Sequence, residues 1–158
     1  MNTLIIDATK HNFLKAFLYK DKKVLKDFSY EGRDIFSSLN STFKSISKLD
    51  VIGINKGPGS FTRTKVSLAY TKGYCYGTGV ALIAISSFDV LEKDKKNLVV
   101  DAGRGKVYIK DDNGYRVEIG ENFEDINYDT FLNIILSKFE KKKFDDPLKV
   151  LPLYISEI

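Results

Sequence analysis

The first third of the chain combines short apolar runs with one amphipathic stretch. "TLIIDA" (3–8) is a continuous apolar run of the buried-strand type. The next two segments, "FLKAFLYK" (13–20) and "KVLKDFSY" (23–30), are rich in β-forming residues and alternate in part, and a turn at Asp21-Lys22 joins them. Apolar residues then recur at helical spacing at Ile35, Phe36, Leu39, Phe43 and Ile46. This pattern predicts three strands followed by a helix over about 33–48.

Two more strands and a second helix follow. "DVIGIN" (50–55) and "VALIAIS" (80–86) have the pattern of buried strands. Between them a glycine-rich turn leads into a helix over about 60–76. One apolar face of this helix is marked by Phe61, Val66, Ala69 and Tyr70. "SSFDVLEK" (86–93) predicts a short helix with a serine cap, which completes an order of β-β-β-α-β-α-β and a short helix.

The second half of the chain begins the same pattern again. "LVVDAGRGKVYIKDDNGYRVEI" (98–119) predicts two strands, then an Asn-Gly hairpin signal and a third strand. Leu4, Asp7 and Ala8 correspond to Leu98, Asp101 and Ala102. We interpret this as an internal duplication, in which the second copy retains only one helix, "YDTFLNIILSKF", and a final strand, "KVLPLYIS". The chain then divides into lobes at 1–96 and 97–158.

A duplicated unit of this order resembles the plan of the actin, Hsp70 and sugar-kinase superfamily, whose lobes are ribonuclease H-like. The sequence therefore predicts an α/β, actin-like (ASKHA) ribonuclease H-like fold, duplicated, with a reduced second lobe. Such a fold carries many different activities, so it does not by itself assign one.

The composition indicates the cellular compartment in which the protein is expected. The chain has 158 residues, 43% of them hydrophobic, and its 25 basic and 21 acidic side chains leave a net charge of only +4. We see no signal peptide and no apolar run of about 18 residues, so no membrane contact is expected. The single cysteine, Cys75, fits a reducing compartment. These features predict a cytoplasmic globular protein.

The glycine-rich turn matches a family signature. "GPGSFT" comprises Gly57, Pro58, Gly59, Ser60, Phe61 and Thr62. Together with Lys72-Gly73 near the end of the following helix, it is similar to the motif of the TsaB (YeaZ) family. "DAT" (7–9), "ISS" (85–87), "DAGRGKVY" (101–108) and "LPLYIS" (151–156) resemble further motifs of that family in the same order. The resemblance covers essentially the whole chain.

The chain also departs from the family pattern. Lys65 stands where the family has arginine, and Arg63 and Ser67 replace two glycines of the helix. Gly103 and Ser156 each replace an arginine. The chain is shorter than typical members, and the missing part falls in the second lobe.

The resemblance implies a non-catalytic scaffold subunit in the synthesis of threonylcarbamoyladenosine in tRNA. Members pair with a larger paralogue, TsaD, which performs the transfer, and work with the ATPase TsaE, so tRNA is contacted only indirectly. The resemblance also implies that the first two helices form the interface, and that a homodimer forms when TsaD is absent. The expected interface residues are Phe36, Leu39, Phe43, Arg63, Val66, Ser67, Tyr70 and Tyr74. Arg63 and Thr64 are expected near the rim.

Two interpretations of the glycine-rich turn compete. A turn that leads into a helix N-terminus can bind phosphate through free N–H groups. However, the Gly-Lys-Ser/Thr of a P-loop is missing. We favour a structural corner, in which the glycines allow unusual backbone geometry and Ser60 or Thr62 caps the helix.

Asp7 and Asp101 are candidates for a relic nucleotide site. In the superfamily, an aspartate after the first strand orients the metal of a bound nucleotide, and the two aspartates here are expected to face each other across the cleft. The alternative functions are therefore a small actin-like nucleotide-binding phosphotransferase and a bare homodimeric interaction module. We expect no cofactor, although a nucleotide at a subunit junction stays open.

The remaining reactive or charged groups have structural explanations. Cys75 is predicted to be a buried helix residue, and His11 to be a solvated loop residue. One histidine and one cysteine do not make a typical zinc site, so no metal is expected. The lysine clusters at 20–23, 93–96 and 141–143 are interpreted as solvated faces rather than tRNA contacts, because acidic residues accompany each one.

Overall fold

The protein has an α/β fold. A computed structural model describes residues 1–91 and 98–155, which contain two sheets and three helices. The strands of the first sheet are β1 (Asn2–Asp7), β2 (Phe13–Lys20), β3 (Lys23–Glu31), β4 (Val51–Asn55) and β5 (Ala81–Ile85). Those of the second are β6 (Leu98–Gly103), β7 (Lys106–Asp111) and β8 (Gly114–Ile119). The helices are α1 (Ile35–Lys44), α2 (Phe61–Thr78) and α3 (Tyr128–Glu140).

The first sheet has the strand order β3-β2-β1-β4-β5. Short connections join β1 to β2 and β2 to β3, and these strands pair antiparallel. The helices α1 and α2 connect β1 to β4 and β4 to β5 as crossovers, so these pairs are parallel. β4 is buried along its whole length because helices cover both faces of the sheet. The strands predicted in this half are confirmed.

Both faces of the first sheet are covered by helices. Leu4 and Ile6 face a core that includes α1 and α2, whereas Ile5 faces the opposite side, where α3 packs through Phe131 and Ile135. A Cβ atom at Gly53 of β4 would lie 2.6 Å from the Ile135 side chain. A glycine at this position therefore lets α3, the helix of the second copy, approach the first sheet closely.

The second sheet contains the three strands that the duplication predicts. β7 is its central strand and pairs antiparallel with both β6 and β8. The fold is thus a duplicated ribonuclease H-like arrangement in which the second copy is reduced to a three-stranded sheet and α3. The proposed lobe boundary between 96 and 97 lies outside the described residues, as does the lysine cluster at 93–96.

Two predicted elements are wrong. Residues 87–90 form a turn instead of a helix, and the apolar pattern there reflects Phe88, Val90 and Leu91, which are buried in the core. "KVLPLYIS" forms no strand in the part that is described, which ends at residue 155. This segment is held by single contacts, such as the bond from the Leu153 N–H to the Lys56 carbonyl (2.8 Å).

The first two helices have different bounds from those predicted. α1 ends at Lys44, since Ser45 is its C-cap, and does not reach residue 48. α2 continues to Thr78 and stops at Gly79, which adopts a left-handed conformation with φ of 78°. None of the helices within 1–91 and 98–155 has the length and apolar character needed to cross a membrane.

Candidate functional site

The glycine-rich turn is a tight corner between β4 and α2. Gly57 has φ of 103°, and its N–H donates to the Asn55 side-chain oxygen (2.9 Å). A Cβ atom at Gly59 would lie 2.7 Å from the Thr9 carbonyl oxygen and 2.9 Å from the Thr9 Cα. The Ser60 N–H donates to the same Thr9 carbonyl (2.7 Å). The glycines therefore allow the corner to pack directly on the loop that follows β1.

Ser87 fixes the corner from its other side. Its N–H donates to the Gly57 carbonyl (2.8 Å), and its hydroxyl lies 2.7 Å from the Pro58 carbonyl oxygen and 3.1 Å from the Asn55 side-chain oxygen. Asn55 was not singled out from the sequence, and Ser87 was quoted only as part of the motif "ISS". A polar residue at the end of a buried strand is a usable signal for both. Because the carbonyls of Gly57 and Pro58 are hydrogen-bonded inside the chain, the corner is rigidly built.

The first turn of α2 lacks the side-chain cap that was expected. Ser60 occupies the N-cap position, but its hydroxyl makes no capping bond to any residue that the structure describes. Thr62 lies inside the helix and is exposed. In contrast, the side chains of Asp34 and Asn127 cap α1 and α3. The prediction that the side chain of Ser60 or Thr62 caps α2 is therefore wrong.

Asp7 is buried, and both of its carboxylate oxygens accept hydrogen bonds from other residues of the chain. One of its oxygens accepts hydrogen bonds from the Thr9 N–H (3.0 Å) and the Thr9 hydroxyl (2.6 Å). The other accepts from the Tyr128 hydroxyl (3.1 Å), which comes from α3. Burial, and then the nearby Asp7 charge, raise the pKa of Tyr128 far above its ordinary value, so this hydroxyl remains a donor. Tyr128 was not identified from the sequence, because 121 positions separate it from Asp7.

Asp101 occupies the equivalent position in the second copy, but it is exposed. Its side chain accepts from the Gly103 N–H two residues later (2.8 Å), as that of Asp7 does from Thr9. A small cleft of about 30 Å³ is lined by Asp101 and His11 among others, and Asp7 is not one of its lining residues. Asp7 and Asp101 therefore do not line this cleft together. Each carboxylate accepts a hydrogen bond from the N–H two residues later, which stabilises the local backbone.

Cys75 and His11 lie where the sequence predicted them. Cys75 is buried in α2, and this burial raises the pKa of its thiol to about 12, which keeps it neutral. The His11 side chain is exposed and lies against Gly103, where a Cβ atom would be 2.6 Å from Nε2. Within residues 1–91 and 98–155, no group of three side chains could hold a metal ion.

Half of the expected interface residues are buried inside the chain. Leu39 and Ser67 are fully buried, and Phe43 and Arg63 are 8% and 6% exposed. The Phe43 ring lies 5.2 Å from the ring of Tyr70 and 4.6 Å from that of Tyr74, between their centroids. The apolar positions of these two helices thus mark the stripes with which α1 and α2 pack on the sheet and on each other.

Arg63 is buried inside the chain and does not lie at the rim of an interface. Its Nη1 donates to the Gly32 carbonyl (3.1 Å), so it ties α2 to the turn before α1. Its Nε finds no acceptor among the described residues, and burial lowers the pKa of the guanidinium. Thr64, also expected near the rim, is 2% exposed.

The two helices nevertheless present an exposed surface, which we call the outer face. Phe36 is 56% exposed, and Val66, Tyr70 and Tyr74 are half-buried. The Tyr70 hydroxyl donates to the Asn40 side-chain oxygen (2.6 Å), which joins the two helices across this surface. The outer face consists of Phe36, Asn40 and Lys44 of α1 and Lys65, Val66, Ala69, Tyr70 and Gly73 of α2.

The strand order, the crossover helices and the repeated strand-turn unit define the class of protein: an actin-like protein built from ribonuclease H-like units. YeaZ from Pseudomonas aeruginosa has a similar fold, with a TM-score of 0.69 and 12% identity over 97% of this chain and 100% of that one. A second solved structure is described as an uncharacterized protein with similarity to peptidase YEAZ from Pseudomonas aeruginosa. Its TM-score is 0.72 and its sequence identity is 12%, and the match covers 98% of this chain and 99% of that one.

Sequence comparison then gives the family. Residues 33–141 match the family model TsaD, described as tRNA N6-adenosine threonylcarbamoyltransferase. The tRNA threonylcarbamoyladenosine biosynthesis protein TsaB of Bacillus subtilis (strain 168) is 25% identical over 122 residues, which cover 68% of this chain and 53% of that protein. The chain belongs to this family and, within it, to the TsaB (YeaZ) proteins. It spans about half the length of the curated relative that it matches.

Proposed function

We propose that the chain is a non-catalytic scaffold subunit in tRNA threonylcarbamoyladenosine biosynthesis. It pairs with a TsaD-type transferase, and the pair works with a TsaE-type ATPase. The pathway is suggested by the name of the Bacillus subtilis relative and by the description of the matching family model. The scaffold role is our inference from the geometry of the chain.

The observation that carries the proposal is that Asp7 is buried and hydrogen-bonded within the chain. A phosphotransferase of the actin type needs this carboxylate to be free to orient a metal-bound nucleotide. Here Thr9 and Tyr128 occupy both of its oxygens, and the side chain is 3% exposed. The adjoining corner uses its carbonyls within the chain as well. This arrangement favours a structural role for the region over catalysis.

The outer face supplies the surface that a scaffold needs. Phe36 is exposed, and the small residues Ala69 and Gly73 would let a partner helix approach closely. Apolar surface that a chain leaves uncovered is a common sign of a protein interface. We therefore place the TsaD-type partner on α1 and α2.

The experiment that tests the pairing is affinity capture of the tagged chain from its own host, with mass spectrometry of the proteins recovered. Ala69→Arg places a long charged side chain on the outer face and leaves the Tyr70–Phe43 contact in place. Ile119→Arg, at a position of β8 that is 91% exposed, is the matched control.

We expect a larger actin-like paralogue with the wild-type chain and with Ile119→Arg, and its loss with Ala69→Arg. Recovery of the same paralogue with Ala69→Arg would contradict the placement of the interface. Micromolar binding of ATP by the isolated chain, abolished by Asp7→Asn in a folded variant, would instead support the phosphotransferase.

A further inference from the structure

The strand β8 forms an open edge of the second sheet. The order of this sheet is β6-β7-β8, so among residues 1–91 and 98–155 β8 pairs with β7 alone. The pairing runs from Gly114 to Ile119 without a bulge. Apolar side chains lie along the same strand, since Tyr115 and Ile119 are both exposed. A regular, open edge strand of this kind is a template for pairing with another strand.

The other edge strands are covered or interrupted. At β5, Asp145 bonds to the strand through both its N–H and its carboxylate. At β6, the Glu124 N–H donates to the Val99 carbonyl (3.0 Å). β3 carries the exposed Lys23 and Lys26, and a bulge shifts its pairing with β2. Lysines and bulges are two features that discourage pairing at an edge, and β8 has neither.

The backbone groups on the open side of β8 belong to Tyr115, Val117 and Ile119. The Gly120 N–H donates to the Gly105 carbonyl (2.9 Å), so the backbone groups of Gly120 face the β7 side. Successive residues of an antiparallel strand direct their N–H and C=O groups to opposite sides. The even-numbered residues of β8 therefore face β7, and the three odd-numbered residues face the open edge.

The sequence of β8 is complementary to itself. When two copies of an edge strand pair antiparallel, a two-fold axis perpendicular to the sheet passes through one residue, which lies opposite its own copy. With this axis at Val117, Arg116 of each copy lies opposite Glu118 of the other. Tyr115 then lies opposite Ile119, and an aromatic side chain opposite a β-branched one is a favourable pair. An axis at Arg116 or at Glu118 would instead place like charges opposite each other.

We propose that β8 pairs antiparallel with β8 of a second copy of this chain, with the two-fold axis at Val117. The two second sheets then form one continuous sheet, joined by about six backbone hydrogen bonds, two for each of the three outward-facing pairs. Inside each chain Arg116 already contacts Glu118 (2.6 Å) and Asp111. The charged pairs of the dimer lie on one face of this sheet and the apolar pairs on the other. The inference goes beyond the proposed function, because β8 is not part of the outer face.

The test uses two charge variants of β8 and their mixture. Glu118→Arg gives the strand two positive side chains, and Arg116→Glu gives it two negative ones. Each variant opposes like charges when it meets itself, whereas an equimolar mixture opposes unlike charges at both charged pairs. Arg116→Glu is combined with Asp111→Asn, because Arg116 also contacts Asp111, and Asp111→Asn alone is the control.

Sedimentation equilibrium measures self-association of each chain up to about 500 µM, since an interface of one strand pair is small and therefore weak. Far-ultraviolet circular dichroism checks that every variant is folded. Glu118→Arg alone is compared with wild type if the variant at Arg116 does not fold, because it opposes like charges by itself. Ala69→Arg, on the outer face, separates association through β8 from association through α1 and α2.

We expect the wild-type chain, Asp111→Asn and Ala69→Arg to dimerise with a dissociation constant on the order of 100 µM. Each charge variant alone should dimerise at least about tenfold more weakly, and the mixture should recover the wild-type affinity. A wild-type chain that stays monomeric over this range would overturn the inference. An unchanged affinity of Glu118→Arg, or a mixture that associates no better than its components, would overturn it too. A dimer that Ala69→Arg dissociates would place self-association on the outer face and contradict the role of β8.

Discussion

Individual residues in this protein matter mainly through contacts with distant segments. Asp7 at the end of β1 accepts a hydrogen bond from Tyr128 of α3. Ser87 after β5 donates to the Pro58 carbonyl, and the Thr9 carbonyl accepts from the Ser60 N–H. Each bond satisfies a buried polar group that would otherwise cost stability. The corner before α2 is the point at which several of these segments meet.

Gly59 tests how tightly that corner is packed. We expect Gly59→Ala to lower the free energy of unfolding by about 2 kcal/mol or more, because the new methyl group would overlap the Thr9 backbone, which cannot move independently. Gly73→Ala is the matched control. It should raise the free energy of unfolding by about 0.5–1 kcal/mol, because it replaces a glycine inside an exposed helix.

Urea unfolding followed by far-ultraviolet circular dichroism measures both changes, and the chain contains no tryptophan that would provide another probe. A Gly59→Ala variant as stable as wild type would mean that the corner is not held against the β1 loop. The sequence predicted a special role for this glycine from the family motif. It did not identify Thr9 as the residue that imposes the role, since contact between positions 9 and 59 depends on the fold.

The three helices differ in how they begin. Asn127 caps α3 by accepting from the Thr130 N–H (3.1 Å), whereas Ser60 precedes α2 without a capping bond to any described residue. Sequence patterns identify residue types that can cap, and both positions qualify. The tertiary packing of the corner decides which of them does so, because the Ser60 backbone is held by Thr9.

We expect substitutions at these two N-caps to have unequal effects. Asn127→Ala should cost about 1 kcal/mol of unfolding free energy, as loss of a side-chain cap usually does. Ser60→Ala should cost under about 0.5 kcal/mol, because no capping bond is lost. Denaturant midpoints of the two variants, measured side by side, check this. An equal loss would show that the Ser60 hydroxyl stabilises α2 in solution.

The errors in predicting helices and interface residues came from apolar residues that are buried in the core. Such residues can be buried without forming the helix or the interface that their pattern suggested. "SSFDVLEK" has a helix-like pattern, yet its apolar residues Phe88, Val90 and Leu91 enter the core from a turn. In α1, likewise, Leu39 and Phe43 were assigned to an interface but pack inside the chain. Periodicity reports that a face is buried. It does not report whether the covering surface belongs to the same chain.

For the whole molecule, the important feature is that the two copies share one core. α3 follows the second sheet in the chain but packs on the first, through the fully buried Phe131. The prediction of two lobes from the duplication therefore needs one qualification: the helix of the second copy stabilises the first. Unfolding of the two copies should be coupled.

Phe131→Ala tests this coupling. We expect a loss of about 3–5 kcal/mol, since a large buried side chain is removed. Unfolding should remain a single transition in which circular dichroism and tyrosine fluorescence coincide. Ile119→Ala, at a position that is 91% exposed, should change stability by less than about 0.5 kcal/mol. Two separate transitions in the wild-type chain would mean that the copies fold independently.

The sequence alone determined the eight strands that the structure describes, the three main helices, the duplication and the family motif. These are local features, because hydrophobic periodicity and turn chemistry depend on residues a few positions apart. Only the tertiary structure decided that Asp7 accepts a hydrogen bond from Tyr128, that Arg63 is internal, and that Phe36 remains exposed on the outer face. Each of these depends on which distant segments meet and on which side of a helix the core already covers, and no local pattern contains that information.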